Sequence, residues 1–439
     1  MEKVYNGQMI SDFAKFKKVH FIGIGGIGVS ALARMMMLQG KEVSGSDRTK
    51  SEITDELAKL GAKIFIGQKK ENLKEGTDLV IYTIIIPEDN PELAEAKALA
   101  IPCLTYPQAL GIISKEKYTI AISGAHGKTT TTAMIAKVLI GAGLDPTVIV
   151  GSILKDAKSN FVAGKGKYLV AEACEYKRSF LNLSPKILVI TNIDDDHLDY
   201  YKDIEDIKLA FKQMVEKIPE DGFLVCDREQ PHIEEVAKAG RCSVVDYELF
   251  GDQNLNLKVA GEHNLSNSAA ALAVADILEI PRRKAEKSLE DFSGTWRRFE
   301  FRGKTKSGAL VYDDYGHHPT EVKATLKAAR ELFPNKRIVV VFQPHLYSRT
   351  KQHLKEFGKA FGAVDLAIIA PIYAAREPAD PSISSDFVAR EISENGITAL
   401  SFPSLEAVKT HLKKELMSEK DVLITMGAGD VYTVANSLI

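Results

Sequence analysis

Gly124, Gly127, Lys128 and Thr129 stand close together in "SGAHGKTTTT", residues 123–132. The order is that of a phosphate-binding loop, G-x-x-x-x-G-K-[ST], shortened by two residues at its glycine end. A strand precedes it ("YTIAIS") and "TTTTAMIAKVLIGAG" reads as the helix after it. At such a helix start, backbone N–H groups and the helix dipole favour an anion. Lys128 is suited to balance β/γ-phosphate charge, and the Thr129 hydroxyl to meet Mg²⁺. The plain alternative is an ordinary strand–turn–helix with an exposed lysine. The context favours nucleotide.

A second glycine turn lies upstream. In "HFIGIGGIGVSA", Gly23, Gly25 and Gly28 form G-x-G-x-x-G after a strand, and Asp47 ends the next strand. Taken alone this suggests NAD or FAD. The physical content is only that a pyrophosphate meets a helix N-terminus, and a UDP-sugar carries the same group.

Further polar residues follow other apolar runs. Glu172 comes after "YLVA", and "TNIDDDH" places Asn192 and His197 after "ILVI". Ligands of open α/β sheets collect at carboxyl ends of strands, so Glu172 and His197 are candidates for a metal beside Thr129. Mg²⁺ prefers oxygen ligands; for His197 a phosphate contact or a turn-capping role is equally open. Asp194 to Asp196 read as a solvated turn. "GEHNLSNSAAA" opens a helix with His263, Asn264 and Asn267, where Asn264 is either an N-cap or a reader of a base edge. "WRRFEF", "YDDYGHHPTE" and "VFQPHLYSRT" bring Arg297, Arg298, His317, His318, His345 and Arg349 near strand ends. Arginines there suit carboxylate or phosphate. Adjacent histidines in a loop are commonly surface residues, yet several such groups after apolar strands point to a shared cleft.

The elements that must position these residues are α/β. Apolar runs alternate with amphipathic stretches such as Ser30–Gln39 and Ser51–Leu60, which is the order of a parallel sheet covered on both faces. The expected strands are "KVHFIGIGG", "KEVSGSD" and "TDLVIYTIII", then "YTIAIS", "KYLVAEAC" and "PKILVITNI", then "RIVVVF", "DLAIIAP" and "DVLITMG". The pattern restarts twice, predicting three α/β domains: 1–115 and 296–439 as Rossmann-like ends, and 116–295 as a central phosphate-loop domain with a mostly parallel sheet.

Composition limits the rest. The chain has 439 residues, 57 basic against 59 acidic, and a net charge of -2, with no basic block that would argue for nucleic acid. The longest apolar run, Leu79 to Ile86, is too short to span a bilayer. The first residues carry no signal-peptide core. Four cysteines without C-x-x-C spacing argue against a disulfide framework or zinc site. A cytoplasmic protein, monomeric or homodimeric, is expected.

Taken together, "HFIGIGGIGVSALA", "VSGSD", "GAHGKTTTT", "TNIDDDHLDYY", "GEHNLSNSAAA", "WRRFEF", "DDYGHHPTE", "FQPHLYSRT" and "MGAGD" make the chain resemble the Mur ligases over nearly its whole length. The resemblance implies an ATP- and Mg²⁺-dependent ligation of L-alanine to the lactyl carboxylate of UDP-N-acetylmuramate through an acyl phosphate. It implies Gly25, Gly26 and Gly28 under the UDP-sugar pyrophosphate, with Asp47 near the nucleotide. It implies ATP at Gly124, Gly127, Lys128, Thr129 and Thr130, with Asn264 and Asn267 on the adenine side. Arg298, Asp314 and Tyr315 match nucleotide contacts. Thr129, Glu172 and His197 match magnesium-associated positions. His317, His345 and Arg349 match residues around the muramate carboxylate and the incoming alanine, with His317 or His345 a candidate base. Four places depart from the family pattern: Cys174 in "EACEY", Leu346 where arginine is common, Ile84 where serine is common, and "TYPQAL", which lacks the arginine often seen before that helix. Competing readings are a related ligase that attaches a recycled murein tripeptide to the same UDP-sugar, an NAD-dependent dehydrogenase, and a non-enzymatic UDP-sugar sensor.

Overall fold

The computed structural model describes residues 10, 12–375, 377–414 and 418–439. They build three sheets, of five, seven and six strands. Contacts group the chain into two compact units: Met1–Asp195 with Tyr200–Asp252 and Asn267–Leu289, and Asp196–Asp199 with Gln253–Ser266 and Glu290–Ile439.

The first unit holds two sheets. Strands β1 (Lys18–Ile22), β2 (Glu42–Asp47), β3 (Lys63–Ile66), β4 (Leu79–Tyr82) and β5 (Cys103–Thr105) run parallel in the order β3-β2-β1-β4-β5. The order reverses beside β1, which makes the glycine turn after it the crevice of a Rossmann-like sheet. The apolar run around β4 ends sooner than its composition suggests. Thr83 N–H donates to Ile22 O at 3.1 Å and Ile86 N–H to Thr83 O at 3.2 Å, so the chain turns at Thr83.

The second sheet uses β6 (Tyr118–Ser123), β7 (Thr147–Leu154), β8 (Ser159–Val162), β9 (Tyr168–Glu172), β10 (Ile187–Ile190), β11 (Phe223–Cys226) and β12 (Ser243–Asp246), ordered β12-β11-β10-β6-β9-β7-β8. Only the β7–β8 pairing is antiparallel. With β6 between β9 and β10, the loops after these strands meet at one edge. "ILVI" of β10 is buried throughout, as a strand covered on both faces must be.

The second unit holds β13 (Glu300–Lys304), β14 (Leu310–Asp314), β15 (Arg337–Phe342), β16 (Leu366–Ile369), β17 (Ala399–Ser401) and β18 (Asp421–Met426), ordered β13-β14-β18-β15-β16-β17. All pairs are parallel except β13–β14. Ile338, Val340 and Phe342 pack with Leu326, Phe357 and Phe361 on one face. Val339 and Val341 pack with Leu412 and Val434 on the other. The period of two in a strand thus gives two cores from one apolar run. The six strands expected from 18 to 190 and the three expected from 337 to 427 all form; the short strands and both antiparallel edges were not foreseen.

Candidate active site

In the first unit, β6 ends at Ser123 and the helix Lys128–Gly141 begins five residues later. Gly124 (φ +129°) and Gly127 (φ +82°) make the turn possible, since both sit where side chains are disfavoured. A Cβ at Gly127 would lie 2.7 Å from Asn267 Oδ1. That oxygen accepts from Thr131 Oγ1 at 3.0 Å, so Asn267 braces the loop from the side. The loop is further held by Asn192, whose Oδ1 accepts the His126 N–H at 2.8 Å and whose Nδ2 donates to His126 O at 3.1 Å. His126 Nε2 in turn lies 2.9 Å from Asp194 Oδ2.

Lys128 folds back over the loop. Its Nζ donates to Gly124 O, to Ala125 O at 2.8 Å and to Glu175 Oε1 at 3.0 Å. Burial works against its charge, but Glu175 foremost, together with Cys174 and Glu172, outweighs burial and holds its pKa above the ordinary lysine value. Thr129 Oγ1 lies 3.2 and 3.0 Å from the two oxygens of Glu172, and Glu172 Oε2 also accepts the Gly151 N–H at 2.8 Å. A hydroxyl and a carboxylate at a strand end beside a phosphate loop form an oxygen donor set of the kind Mg²⁺ takes while keeping several waters. Thr130 is half-buried in the first turn of the same helix.

At the other glycine turn, Gly23 has φ +79°. The Gly25 N–H donates to Asp47 Oδ2 at 2.9 Å, so Asp47 anchors the turn itself. Gly26 caps the helix Ile27–Leu38. A Cβ at Gly28 would lie 2.6 Å from the Tyr106 ring, which explains the third glycine.

In the second unit, the loops after β14 and β15 carry a dense polar group together with Asp196 and His197. Arg349 Nη2 donates to Asp196 Oδ1 at 2.7 Å, and its Nη1 lies 3.1 Å from His345 Nδ1. Asp196 is buried; burial pushes its pKa up, but His197 and Arg349 outweigh that and hold it well below the ordinary value. Asp196 is therefore an ion-pair partner and not part of a solvated turn. His197 has φ +58°, with Nε2 3.7 Å from Asp196 Oδ2.

The His317 and His345 rings meet edge-to-face with centroids 5.5 Å apart. His317 Nδ1 lies 3.1 Å from Tyr315 O and its N–H donates to Glu321 Oε2 at 3.0 Å. Burial lowers the His317 pKa to about 4, with Glu321 pulling upward and Arg349 downward. It is neutral at pH 7, and a carbonyl at Nδ1 selects the tautomer that leaves Nε2 a base. His318 is buried and opens the helix Pro319–Leu332 in a capping box with Glu321, so the histidine pair is not a surface feature.

Burial raises Asp314 to about 6, against the pull of Arg298 and of the Gly316 and Phe299 N–H groups. Arg298 stacks on Tyr315, 5.4 Å from the ring centre, and lies 3.8 Å from Glu321. Arg297, fully buried, pairs with Asp313 at 2.7 Å and donates to Gly427 O and Gly429 O at 2.6 and 3.0 Å. It thereby ties "MGAGD" to the β14 loop. Asn264 is the third residue of the helix Glu262–Ile277, not its N-cap, and its Nδ2 donates to Ala260 O at 2.6 Å. Leu346 is buried at φ +69°. Glu175, Asp196 and Glu321 are the charged partners that the sequence did not single out. The "HPTE" spacing is the one local signal among them.

Three family models match in order: the Mur ligase family catalytic domain over residues 18–118, the Mur ligase middle domain over 122–258, and the Mur ligase glutamate ligase domain over 297–429. The chain belongs to the Mur ligase family. Among its relatives, the UDP-N-acetylmuramate–L-alanine ligase of Clostridium kluyveri is 44% identical, with 97% of this chain and 98% of that protein covered. The enzyme of the same name from Acetivibrio thermocellus is 44% identical over 98% of this chain and 97% of its own. Among solved structures, the UDP-N-acetylmuramate-alanine ligase of Thermotoga maritima superposes with a TM-score of 0.81 at 29% identity, covering 96% of this chain and 98% of that one. A murein peptide ligase of Psychrobacter arcticus superposes with a TM-score of 0.72 at 21% identity, covering 96% and 98%, a likeness of fold. The family assignment displaces the dehydrogenase reading, which left the phosphate loop unexplained. No helix among the described residues is long and apolar enough to cross a membrane.

Proposed function

We infer that the protein joins L-alanine to the lactyl carboxylate of UDP-N-acetylmuramate, with ATP hydrolysed to ADP and phosphate, in the synthesis of peptidoglycan precursors. The full-length identity to enzymes of that name carries the reading; the phosphate loop with Lys128, Thr129 and Glu172 supplies the chemistry it needs. A tripeptide in place of alanine is not favoured, because the murein peptide ligase likeness is one of fold only. A cytoplasmic location belongs to the same proposal.

A carboxylate does not react with an amine at neutral pH because oxide is a poor leaving group. Transfer of the γ-phosphoryl group to the carboxylate gives an acyl phosphate; the amine then attacks and phosphate leaves. In this reading Lys128 moves from Glu175 to the transferring phosphoryl, where a fixed positive charge lowers the barrier. Thr129, Glu172 and His197 would hold Mg²⁺, which when bound neutralises phosphate charge. Gly124, Gly127 and Thr130 line the phosphates, and Asn264, Asn267, Arg298, Asp314 and Tyr315 complete nucleotide binding. Arg349, oriented by Asp196, holds a carboxylate. Neutral His317, or His345 beside it, takes the proton the amine must lose. Gly25, Gly26, Gly28 and Asp47 form the UDP-sugar side, and residues 1–115, 116–295 and 296–439 divide these three tasks.

The test is phosphate release from MgATP with UDP-N-acetylmuramate, with and without L-alanine, together with the product's mass. Release that needs both substrates and yields UDP-N-acetylmuramoyl-L-alanine is expected. Release with the tripeptide but not with alanine overturns the choice of substrate, and no release with either overturns the enzyme reading.

A further inference from the structure

A buried polar cluster lies under the glycine turn of the first sheet, outside every role assigned so far. Its centre is Glu92, with no exposed surface, in the first turn of the helix Pro91–Ala98. Both carboxylate oxygens are saturated. Oε2 accepts from Ser46 Oγ at 2.6 Å and lies 3.2 Å from His20 Nε2. Oε1 accepts from Asn72 Nδ2 and from the Lys69 N–H at 3.2 Å. His20 Nδ1 meets Ser44 Oγ at 2.9 Å. A buried carboxylate is costly unless fully paired. Its presence calls for an account of what the donors do.

Two of the four donors, Ser46 and Asn72, lead to the glycine turn. Ser46 sits at the end of β2, and its carbonyl accepts the N–H groups of Gly23 at 2.8 Å and Ile24 at 2.9 Å. The next residue, Asp47, accepts the Gly25 N–H. Asn72 Nδ2 also donates to Gly67 O at 2.9 Å, and the Gly67 N–H donates to Asp47 O at 2.7 Å. Three successive N–H groups of the turn are therefore fixed on two residues. Glu92 clamps one of them directly and reaches the other through Asn72 and Gly67. Where β2 ends decides where the helix after Gly26 begins, and that helix start is the anion-binding element. A clamp on the β2 end sets the anion site without touching the anion.

We propose that Glu92, through Ser46 and Asn72, is a positioning residue for the pyrophosphate of the UDP-sugar. The proposal rests on the function inferred above. The carboxylate is needed because all four of its neighbours are donors. Gln in its place presents an N–H₂ to one pair of them, and that pair must separate or turn.

The experiment is calorimetric binding of UDP-N-acetylmuramate and, separately, of a non-hydrolysable MgATP analogue to the wild type, Glu92→Gln and Ser46→Ala. The wild type is measured first: if it does not bind the UDP-sugar, the functional reading fails and this inference with it. With wild-type binding in hand, Glu92→Gln is expected to weaken the UDP-sugar by roughly tenfold, leave the MgATP analogue alone, and raise the UDP-sugar KM by more than kcat falls. Ser46→Ala, which removes one donor and keeps the charge, is expected to shift the same ligand by a smaller factor and keeps the question open to refutation if Glu92→Gln does not fold. Equal loss of both ligands in step with lowered thermal stability, or unchanged UDP-sugar binding in a folded variant, overturns the proposal.

Discussion

Replacing Glu175 by Gln should tighten nucleotide binding. An ammonium has three donors, and Gly124 O, Ala125 O and Glu175 Oε1 take all of them. Lys128 cannot face a phosphate without giving up at least one. The Glu175 bond is the charge-assisted one, between side chains only 12% and 4% exposed. Hydrogen bonds to charged groups are worth about 1.5–3 kcal/mol. Gln keeps the acceptor and the shape but removes the charge, so on the order of 1–1.5 kcal/mol of the empty state's stabilisation is lost. The loaded state, where phosphate replaces Glu175, loses little. With 1.4 kcal/mol per tenfold, the Kd for MgATP should fall by roughly five- to tenfold in titration calorimetry. The empty protein should melt earlier, because its buried ammonium has lost its counter-charge. An unchanged or weaker Kd would refute the reasoning and would mean that Glu175 acts on the nucleotide side.

Four further outcomes follow from the geometry. The His317 pKa is lowered from 6.5 to about 4 by burial. The unfolded chain thus binds its proton first as pH falls, so stability contributed here is complete above pH 6.5 and is lost between 6.5 and 4. Urea unfolding of the wild type and His317→Gln at pH 7.5 and pH 5 should show a difference of about 2 kcal/mol that appears only with pH; a pH-independent difference would show that His317 does not titrate in this way. Asp196→Asn loosens Arg349 and should raise the L-alanine KM about tenfold, with MgATP binding constant; steady-state kinetics checks both. Gly127→Ala puts a Cβ into Asn267 at a left-handed φ and should weaken MgATP at least tenfold, whereas Gly40→Ala, at φ +78° with open space around it, should cost only ~1–2 kcal/mol of stability. Arg297→Met strands Asp313 in the core and should destabilise by about 3–5 kcal/mol in urea, so equal stability would show that the pair is dispensable.

Local chemistry was written plainly in the chain. Glycines with φ above zero, the Lys-Thr helix start and the buried β-branched runs of β6, β10 and β15 each depend on residues adjacent in sequence, so their signal survives without a fold. The short strands β3, β5 and β17 did not show, because three or four residues carry too little periodicity to be separated from loops. The run Leu79–Ile86 misled about length for a different reason: apolar composition continues past Tyr82, while the backbone turns where Thr83 packs against Gly23.

What the sequence determined by itself was the set of reactive groups and the loops that hold them. Only the tertiary structure decided their charge states and partners. Asp196 reads as one of three exposed aspartates until Arg349, 153 residues away, is brought to 2.7 Å. His317 becomes a neutral base only through burial. Glu92 is an ordinary helix residue until four donors from three other segments close on it. Coulomb energy and desolvation depend on distance and dielectric in space, and neither quantity is carried by order along the chain.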